Sequence, residues 1–280
     1  MTATQVQEKH VTVNGVRLRY FDYGNEGAMP MVCLHGHTGQ AHIWDEFAEA
    51  MAPNFHVVTI DQRGHGESEH ASTGYMRDRF VEDLDELVVA LGFDRFVLVG
   101  LSMGGWHSLL YTGEKHPEKV ERIVIVDIGP ESSERAQQEW GNRPPTPMSF
   151  ASVDEAFAWA RDGNPWASDA RLRKDIEEKL KQTADGTWTW RADAALFNVP
   201  LADGTDETLI NRYWKALETI EQPILEVRGL ESPLLDDKLK DKMIATAKNL
   251  SWVDVPDAGH VVTVDKPQEF IAVTREFLGV

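Results

Sequence analysis

The stretch Phe96–Gly105, FVLVGLSMGG, decides the fold. Its first residues, FVLV, form an unbroken apolar run, which is typical of a parallel strand that is buried on both faces. The run stops at Gly100 and presents Ser102 before small residues that begin a helix. Gly100, Ser102 and Gly104 form the pattern G-x-S-x-G, in which a sharp strand-to-helix turn pushes the serine out at the carboxyl edge of the sheet. The pattern therefore predicts that Ser102 is a nucleophile.

The rest of the chain alternates predicted strands and helices. HVTVNGVRLRYFDYG has the pattern of a hairpin, and further strands are predicted at MVCLHG, FHVVTI, RFVLVG, RIVIVDIG, PILEVRG and LSWVDV. Helical spacing of apolar residues predicts helices near Ala41–Met51, along Phe80–Leu91, near Asp236–Lys248 and at the C-terminal end. We therefore expect an α/β fold with a mostly parallel sheet flanked by helices.

The region between Pro130 and Glu221 interrupts this alternation. It contains NRPPTP, TWTWRAD and two short helical patterns, Val153–Arg161 and Arg171–Lys181. We predict a core of residues 1–130 and 221–280, with residues 131–220 forming a helical cap. Six of the nine tryptophans lie in this cap: Trp140, Trp159, Trp166, Trp188, Trp190 and Trp214. They favour an aromatic, apolar pocket with Trp190 at the substrate, or equally a cap held on the core by aromatic packing.

The charge balance limits the partners. The 280 residues carry a net charge of −18 at pH 7, which repels phosphate backbones and anionic membranes. We predict a small-molecule substrate, no nucleic acid and no membrane, for a monomer or homodimer. An anionic substrate would need a local cation, and four cap arginines could serve or could be surface charges: Arg135, Arg143, Arg161 and Arg191. Of these, Arg191 is our candidate substrate contact, beside Trp190.

The cysteine content and the first residues indicate the compartment. Cys33 is the single cysteine, so no intramolecular disulfide can form, which suits a reducing environment. MTATQVQEKH lacks the basic and apolar regions of a signal peptide. We therefore predict a cytoplasmic protein.

A nucleophilic serine needs a base and donors for the developing oxyanion. His260 in DAGH follows the last predicted strand, at the sheet edge that also presents Ser102, and is our candidate base. His35 and His37 form an H-x-H pair, but the other histidines do not complete a zinc spacing, so we predict no metal site. The HGHTG backbone is instead expected to approach the serine, with the amides of His37 and Met103 as oxyanion donors.

Five motifs in order, LHGHTG, DQRGHGES, GLSMGG, VDIGP and DAGH, resemble those of the α/β-hydrolase family. The resemblance covers nearly the whole chain outside the insert. It implies an eight-stranded, mostly parallel sheet, a helical cap over the pocket, a Ser–acid–His triad and no cofactor. Within the family, DQRGHG, VRG followed by a serine-containing loop, and an early acid are similar to the acetamidomethylene-succinate hydrolases. The resemblance implies hydrolysis of a carboxylic ester, amide or lactone.

The triad acid departs from the usual family pattern. The family usually supplies it as Gly-x-x-Asp after the strand PILEVRG, where this chain has Ser232. A subset of the family draws it from the end of the strand after the nucleophile helix, and Asp127 matches that place. An aspartate that ends a buried strand is costly unless it is paired, so we assign Asp127, with Glu231 and Asp236 as first and second reserves. The alternative for Asp127 is a helix cap or loop anchor.

Two other functions stay open from the sequence. The fold can act as a ligand receptor that presents its cap to a partner, or the same pocket can serve a lyase or perhydrolase. Product analysis in isotopic water separates the last two from a hydrolase, because only hydrolysis must put solvent oxygen into the acid product.

Overall fold

The computed structural model describes residues 6–72, 74–142, 144–198 and 206–280. Its strands in chain order are β1 (Gln7–Val13), β2 (Val16–Asp22), β3 (Met29–Leu34), β4 (Phe55–Ile60), β5 (Phe96–Leu101), β6 (Val120–Val126), β7 (Ser149–Phe150), β8 (Leu180–Gln182), β9 (Trp188–Trp190), β10 (Ile224–Gly229) and β11 (Leu250–Val255). Its α-helices are α1 (Asp45–Met51), α2 (Arg77–Ala90), α3 (Met103–Leu110), α4 (Glu134–Gly141), α5 (Val153–Gly163), α6 (Asp169–Lys179), α7 (Ala194–Asn198), α8 (Glu207–Thr219), α9 (Asp237–Thr246), α10 (Val262–Asp265) and α11 (Pro267–Leu278).

Eight strands form one sheet in the order β1-β2-β4-β3-β5-β6-β10-β11. Six neighbouring strands of this sheet pair in parallel: β4, β3, β5, β6, β10 and β11. Strand β2 is antiparallel to both of its neighbours, β1 and β4. The β1–β2 hairpin turns at Asn14 and Gly15, both of which have positive φ, as an Asn-Gly hairpin turn requires. The predicted fold class, a mostly parallel eight-stranded sheet flanked by helices, is confirmed.

Each face of the sheet is covered by its own layer of helices. Along β6, Ile123 and Ile125 face one layer and Val124 and Val126 face the other, because successive side chains of a strand point to opposite faces. Helices α2, α3, α8 and α9 pack on the first face, and α1 and α11 pack on the second. Within the described ranges, no helix is long and apolar enough to cross a membrane.

The predicted cap region, residues 131–220, contains α4 to α8 and also an antiparallel sheet in the order β7-β9-β8. The sequence predicts helices here but not this sheet, because strands of two or three residues are too short to show an alternating pattern. The last helix, α8, packs with the core, where Tyr213 stacks on Trp106 of α3 with ring centroids 5.4 Å apart. By these contacts we place α8 with the core, and the division into core and cap stays a prediction.

The carboxyl ends of β3, β5, β6, β10 and β11 meet at one edge of the sheet, as they must in parallel strands. The turn from β5 into α3 lies at this edge and is tight. A Cβ atom added at Gly100 would lie 2.3 Å from the carbonyl oxygen of Gly104, so only glycine allows the helix to start this close to the strand. The loops that follow the neighbouring strands therefore converge on Ser102.

Candidate active site

Ser102 stands at the turn between β5 and α3 with φ 52° and ψ −117°. This left-handed conformation is strained for a residue other than glycine and is the geometry of an exposed nucleophile on a strand-to-helix turn. The amide of Ser102 donates to the carbonyl of Val126 across 3.0 Å, which holds the turn against the end of β6. Ser102 and Asp127, the residue after β6, are therefore on adjacent strand ends.

Asp127 is completely buried and also has positive φ, 51°. Its carboxylate accepts three hydrogen bonds from the second half of the chain. His260 Nδ1 lies 2.8 Å from Oδ2, Ser232 Oγ donates to the same oxygen across 2.5 Å, and the Gly229 amide donates to Oδ1 across 3.1 Å. The structure thus pairs the predicted base with the predicted acid and satisfies the buried charge.

The two reserve acids lie elsewhere. Glu231 is exposed, and Asp236 accepts a hydrogen bond from the Leu239 amide across 2.8 Å as the N-cap of α9. Ser232, which stands where the family usually has its acid, instead donates to the acid that comes from β6. No role is predicted for this serine from the sequence, although a hydroxyl at the usual acid position is the available signal.

Ser102 and His260 lie at the same edge of the sheet without a hydrogen bond between them. Among the described residues, the hydrogen bonds of His260 include Asp127 and do not include Ser102. The His260 side chain is 31% exposed, so its ring borders open space rather than the core. Catalytic hydrogen bonds of this kind are often long before substrate binds and tighten in the substrate complex.

The HGHTG loop approaches the serine closely: a Cβ atom at Gly36 would lie 3.2 Å from Ser102 Cβ. The predicted oxyanion donors are the amides of His37, in this loop, and of Met103, the first residue of α3. Neither amide donates to another residue of the described chain, in keeping with the unpaired N–H groups of a helix start. Their role as donors stays a prediction.

A buried histidine that the sequence analysis did not assign supports this loop. His65 Nε2 accepts a hydrogen bond from the Thr38 amide across 3.2 Å, and its Nδ1 donates to the Arg63 carbonyl across 2.8 Å. Thr38 needs this support because its φ is 55°. Burial holds the pKa of His65 well below its usual value, so the ring stays neutral and Nε2 keeps its lone pair for the loop.

His35 is held in the same way on the other side of the loop. Its Nδ1 donates to the Gly36 carbonyl across 2.7 Å, and its Nε2 accepts from the Gln62 amide across 3.0 Å. Burial lowers the pKa of His35 to about 4, and burial likewise lowers the pKa of His37 to about 4. The neutral rings of His35 and His65 thus act as hydrogen-bonding supports for the loop that carries the predicted oxyanion donor.

An apolar cover lies over Met103. Met103 packs with Phe80 of the core and with Ala192 and Leu196 of the segment that follows β9. The polar groups along the sheet edge are therefore bordered by packed, buried apolar side chains above the start of α3.

The predicted substrate contacts, Trp190 and Arg191, lie just before this cover. Trp190 is buried among Phe150, Trp159 and Phe197, with ring centroids 5.6 to 5.7 Å away, and its indole N–H donates to the Pro147 carbonyl. Arg191 forms an ion pair with Glu67. The structure therefore gives both side chains protein partners, and their contact with substrate stays a prediction.

The other cap arginines that the structure describes also have partners. Arg135 pairs with Glu139 across 2.8 Å, and Arg161 pairs with Asp169 across 2.6 Å. Arg143 and the side chain of Trp140 lie outside what the structure describes.

One group of side chains among the described residues has the spacing of a metal site: His42, Asp45 and Glu178. The ammonium group of Lys174 lies 3.0 Å from Asp45 and 3.7 Å from Glu178, so a positive charge is already present between the carboxylates. The group joins α1 and its preceding turn to α6, and we interpret it as an ion-pair contact between core and cap.

The family follows from the sequence itself. A sequence model of the alpha/beta hydrolase fold family matches residues 29–267. The chain belongs to the α/β-hydrolase family. It is 30% identical to the 3-hydroxybutyrate-oligomer hydrolase of Cupriavidus necator, over 94% of this chain and 93% of that protein. The resemblance found from the five motifs is confirmed.

Two further comparisons concern the acetamidomethylene-succinate hydrolases. The 2-(acetamidomethylene)succinate hydrolase of Mesorhizobium japonicum is 27% identical, over 89% of this chain and 87% of that protein. The crystal structure of an E-2-(acetamidomethylene)succinate hydrolase superposes with a TM-score of 0.84 at 22% identity, covering 99% of this chain and all of that one. The structural likeness establishes the fold, and the hydrolase names of the relatives identify the chain as an α/β-hydrolase enzyme.

The neutral histidines predict how stability changes with acidity. The folded protein keeps His35 neutral down to about pH 4, whereas the unfolded chain binds that proton near pH 6.5, so acid favours unfolding in this window. Because only the unfolded chain binds this proton, we expect the free energy of unfolding to fall by about 3 kcal/mol through His35 between pH 6.5 and pH 4. Urea unfolding should therefore show a smaller pH dependence for His35→Gln than for the parent.

His10→Gln is the matched control, because His10 is an exposed imidazole. This variant should keep the slope of the parent. An equal slope for the parent and His35→Gln would contradict the neutral assignment.

Proposed function

We propose that the protein is a serine hydrolase that cleaves a carboxylic ester, amide or lactone bond of a small molecule through an acyl-enzyme. The observation that carries the proposal is the 2.8 Å contact between His260 Nδ1 and Asp127 at the sheet edge that presents Ser102. A carboxylate that accepts from Nδ1–H fixes the imidazole tautomer and leaves Nε2 unprotonated. That nitrogen is the base that the serine requires.

In the first step, Ser102 Oγ attacks the substrate carbonyl while His260 Nε2 takes the hydroxyl proton. Asp127 stabilises the imidazolium that forms and keeps its own charge. The amides of His37 and Met103 donate to the oxyanion, each contributing about 3 kcal/mol to transition-state stabilisation. The leaving alcohol or amine then takes the proton from His260.

In the second step, water hydrolyses the acyl-enzyme. His260 removes a proton from the attacking water. It then donates this proton to Ser102 Oγ as the bond between Oγ and the acyl group breaks and the acid product departs. Every proton transfer in both steps uses the same ring nitrogen, so the proposal needs no cofactor. The hydrolase names of the two curated relatives support hydrolysis as the reaction.

The surroundings of Met103 support a substrate with an apolar acyl group. Ala192 and Leu196 pack beside Met103, next to one of the proposed oxyanion amides. We place Trp190 and Arg191 at the substrate side because β9 leads directly into this segment. An incoming anion would have to compete with Glu67 for Arg191.

The nucleophile is tested by Ser102→Ala. Without the hydroxyl no acyl-enzyme can form, and we expect hydrolysis of a short p-nitrophenyl ester to fall by at least about 10³-fold. The urea midpoint should change little, because the substitution removes one oxygen at a partly exposed position.

Ser251→Ala is the control, since Ser251 is an exposed serine on β11. It should keep the parent rate. Turnover that survives in Ser102→Ala would remove the serine mechanism.

The acid is tested by Asp127→Asn. An amide at this position no longer fixes the correct tautomer of His260, so kcat should fall by about 10⁴-fold. Glu231→Gln is the matched control, because Glu231 is the exposed reserve acid of the loop after β10, and it should keep at least half of the parent kcat. The reverse pattern of rates would move the acid to Glu231.

A further inference from the structure

The loop that carries His260 is held from two sides. On the core side, the Glu231 amide donates to the Ala258 carbonyl across 2.9 Å and the Leu230 amide donates to the Val255 carbonyl across 3.0 Å. On the other side, the Gly259 amide donates to Asp265 Oδ2 across 2.8 Å. Gly259, the residue directly before the histidine, is therefore fixed through its amide by Asp265, at the end of α10.

The second oxygen of Asp265 reaches the predicted cap. Asn164, which ends α5, donates from Nδ2 to Asp265 Oδ1 across 2.7 Å. Asp265 is only 6% exposed. Burial raises the pKa of Asp265 to about 6, while the hydrogen bonds from Asn164 and Gly259 act in the opposite direction and favour the carboxylate. The two donors thus stabilise a charge that the protein interior would otherwise disfavour.

The same asparagine shapes the turn above the histidine loop. Asn164 Oδ1 accepts from the amides of Trp166 and Ala167 across 3.1 and 3.3 Å. The Trp166 ring then covers Gly259, where an added Cβ atom would lie 2.4 Å from the ring. The glycine of DAGH is thereby explained: it lets a cap side chain pack directly on the peptide that precedes His260.

The turn has hydrogen bonds of its own. Arg161 donates to the carbonyls of Asn164 and Ala167 across 2.9 and 2.8 Å and pairs with Asp169. A displacement of the turn would therefore be passed to the Gly259 amide, because the two oxygens of the Asp265 carboxylate bond to Asn164 and to Gly259.

We propose that Asn164 and Asp265 are positioning residues through which the cap sets the orientation of His260 and so controls kcat. The proposal rests on the proposed serine mechanism, in which His260 transfers every proton. A shift of the Gly259 peptide rotates the imidazole relative to Ser102, and small errors of orientation at a transferring group are costly. Substrate binding is affected less, since neither residue belongs to the apolar cover near Met103.

The test is a reciprocal exchange of the two side chains. Asn164→Asp places a carboxylate opposite Asp265. In Asp265→Asn only one acceptor oxygen remains for the two donors, so the N–H₂ group faces either Asn164 or the Gly259 amide and one of the two contacts is lost. In the double variant, Asn at 265 accepts from the Gly259 amide and donates to Asp at 164, so the bond between the two side chains is restored with its direction reversed. The backbone amides of Gly259, Trp166 and Ala167 donate as they do in the parent. We expect each single variant to lose about tenfold in kcat and the double variant to return within about threefold of the parent.

The measurement is kcat and KM for a short p-nitrophenyl ester, with the urea midpoint of each variant. KM should change less than about threefold in the single variants. Asp257→Asn is the matched control, because it removes a carboxylate from an exposed position of the same loop and should keep the parent kcat. Losses that multiply to about a hundredfold in the double variant, or an unchanged kcat in the single ones, would overturn the proposal.

Two further variants separate a failure of the positioning role from a failure to fold or of the serine mechanism. If Asp265→Asn does not fold, Asn164→Ala serves in its place, because it leaves Asp265 bonded to Gly259; a tenfold lower kcat supports the proposal and an unchanged kcat overturns it. Ser102→Ala is assayed in parallel. Turnover that survives in Ser102→Ala counts against the serine mechanism. If Ser102→Ala is inactive but the effects of the two single variants at positions 164 and 265 simply multiply in the double variant, the result counts against the positioning role alone.

Discussion

The structure depends on one buried charge. The Asp127 carboxylate sits at the end of β6 with no exposure to solvent, and an ionised carboxylate in such a place is tolerated only with several donors. Those donors come from Gly229, Ser232 and His260, roughly a hundred residues later in the chain. The hydrogen bonds to the Asp127 carboxylate therefore hold β10, the loop after it and the histidine loop at the edge where β5 presents Ser102.

Neutral histidines hold the loop on the other side of the serine. The HGHTG loop follows β3, and His35 and His65 support it from buried positions with one ring nitrogen donating and the other accepting. Burial keeps both pKa values low, so each ring retains the lone pair that its contact requires. The proposed site thus combines one buried anion with neutral supports, and a loop that can present backbone N–H groups.

The sequence predicts those parts that depend on local pattern. Apolar runs identify the strands, the G-x-S-x-G pattern places Ser102 at a turn, and the cost of a buried aspartate pointed to Asp127. A hydroxyl at the usual acid position singles out Ser232, but its bond to Asp127 does not follow from the sequence. That bond depends on how β6 and β10 align, with the Asp127 amide bonded to the Val227 carbonyl. The same holds for Asn164 and Asp265, whose contact joins residues 101 positions apart.

The central claim is that His260 activates Ser102 as a nucleophile, and covalent labelling tests it most directly. The parent is treated with a fluorophosphonate, and the rate and site of the adduct are determined by mass spectrometry of the peptides. We expect a single adduct on Ser102, formed several orders of magnitude more slowly in His260→Ala. An adduct on another residue, or an unchanged labelling rate without the imidazole, would contradict it.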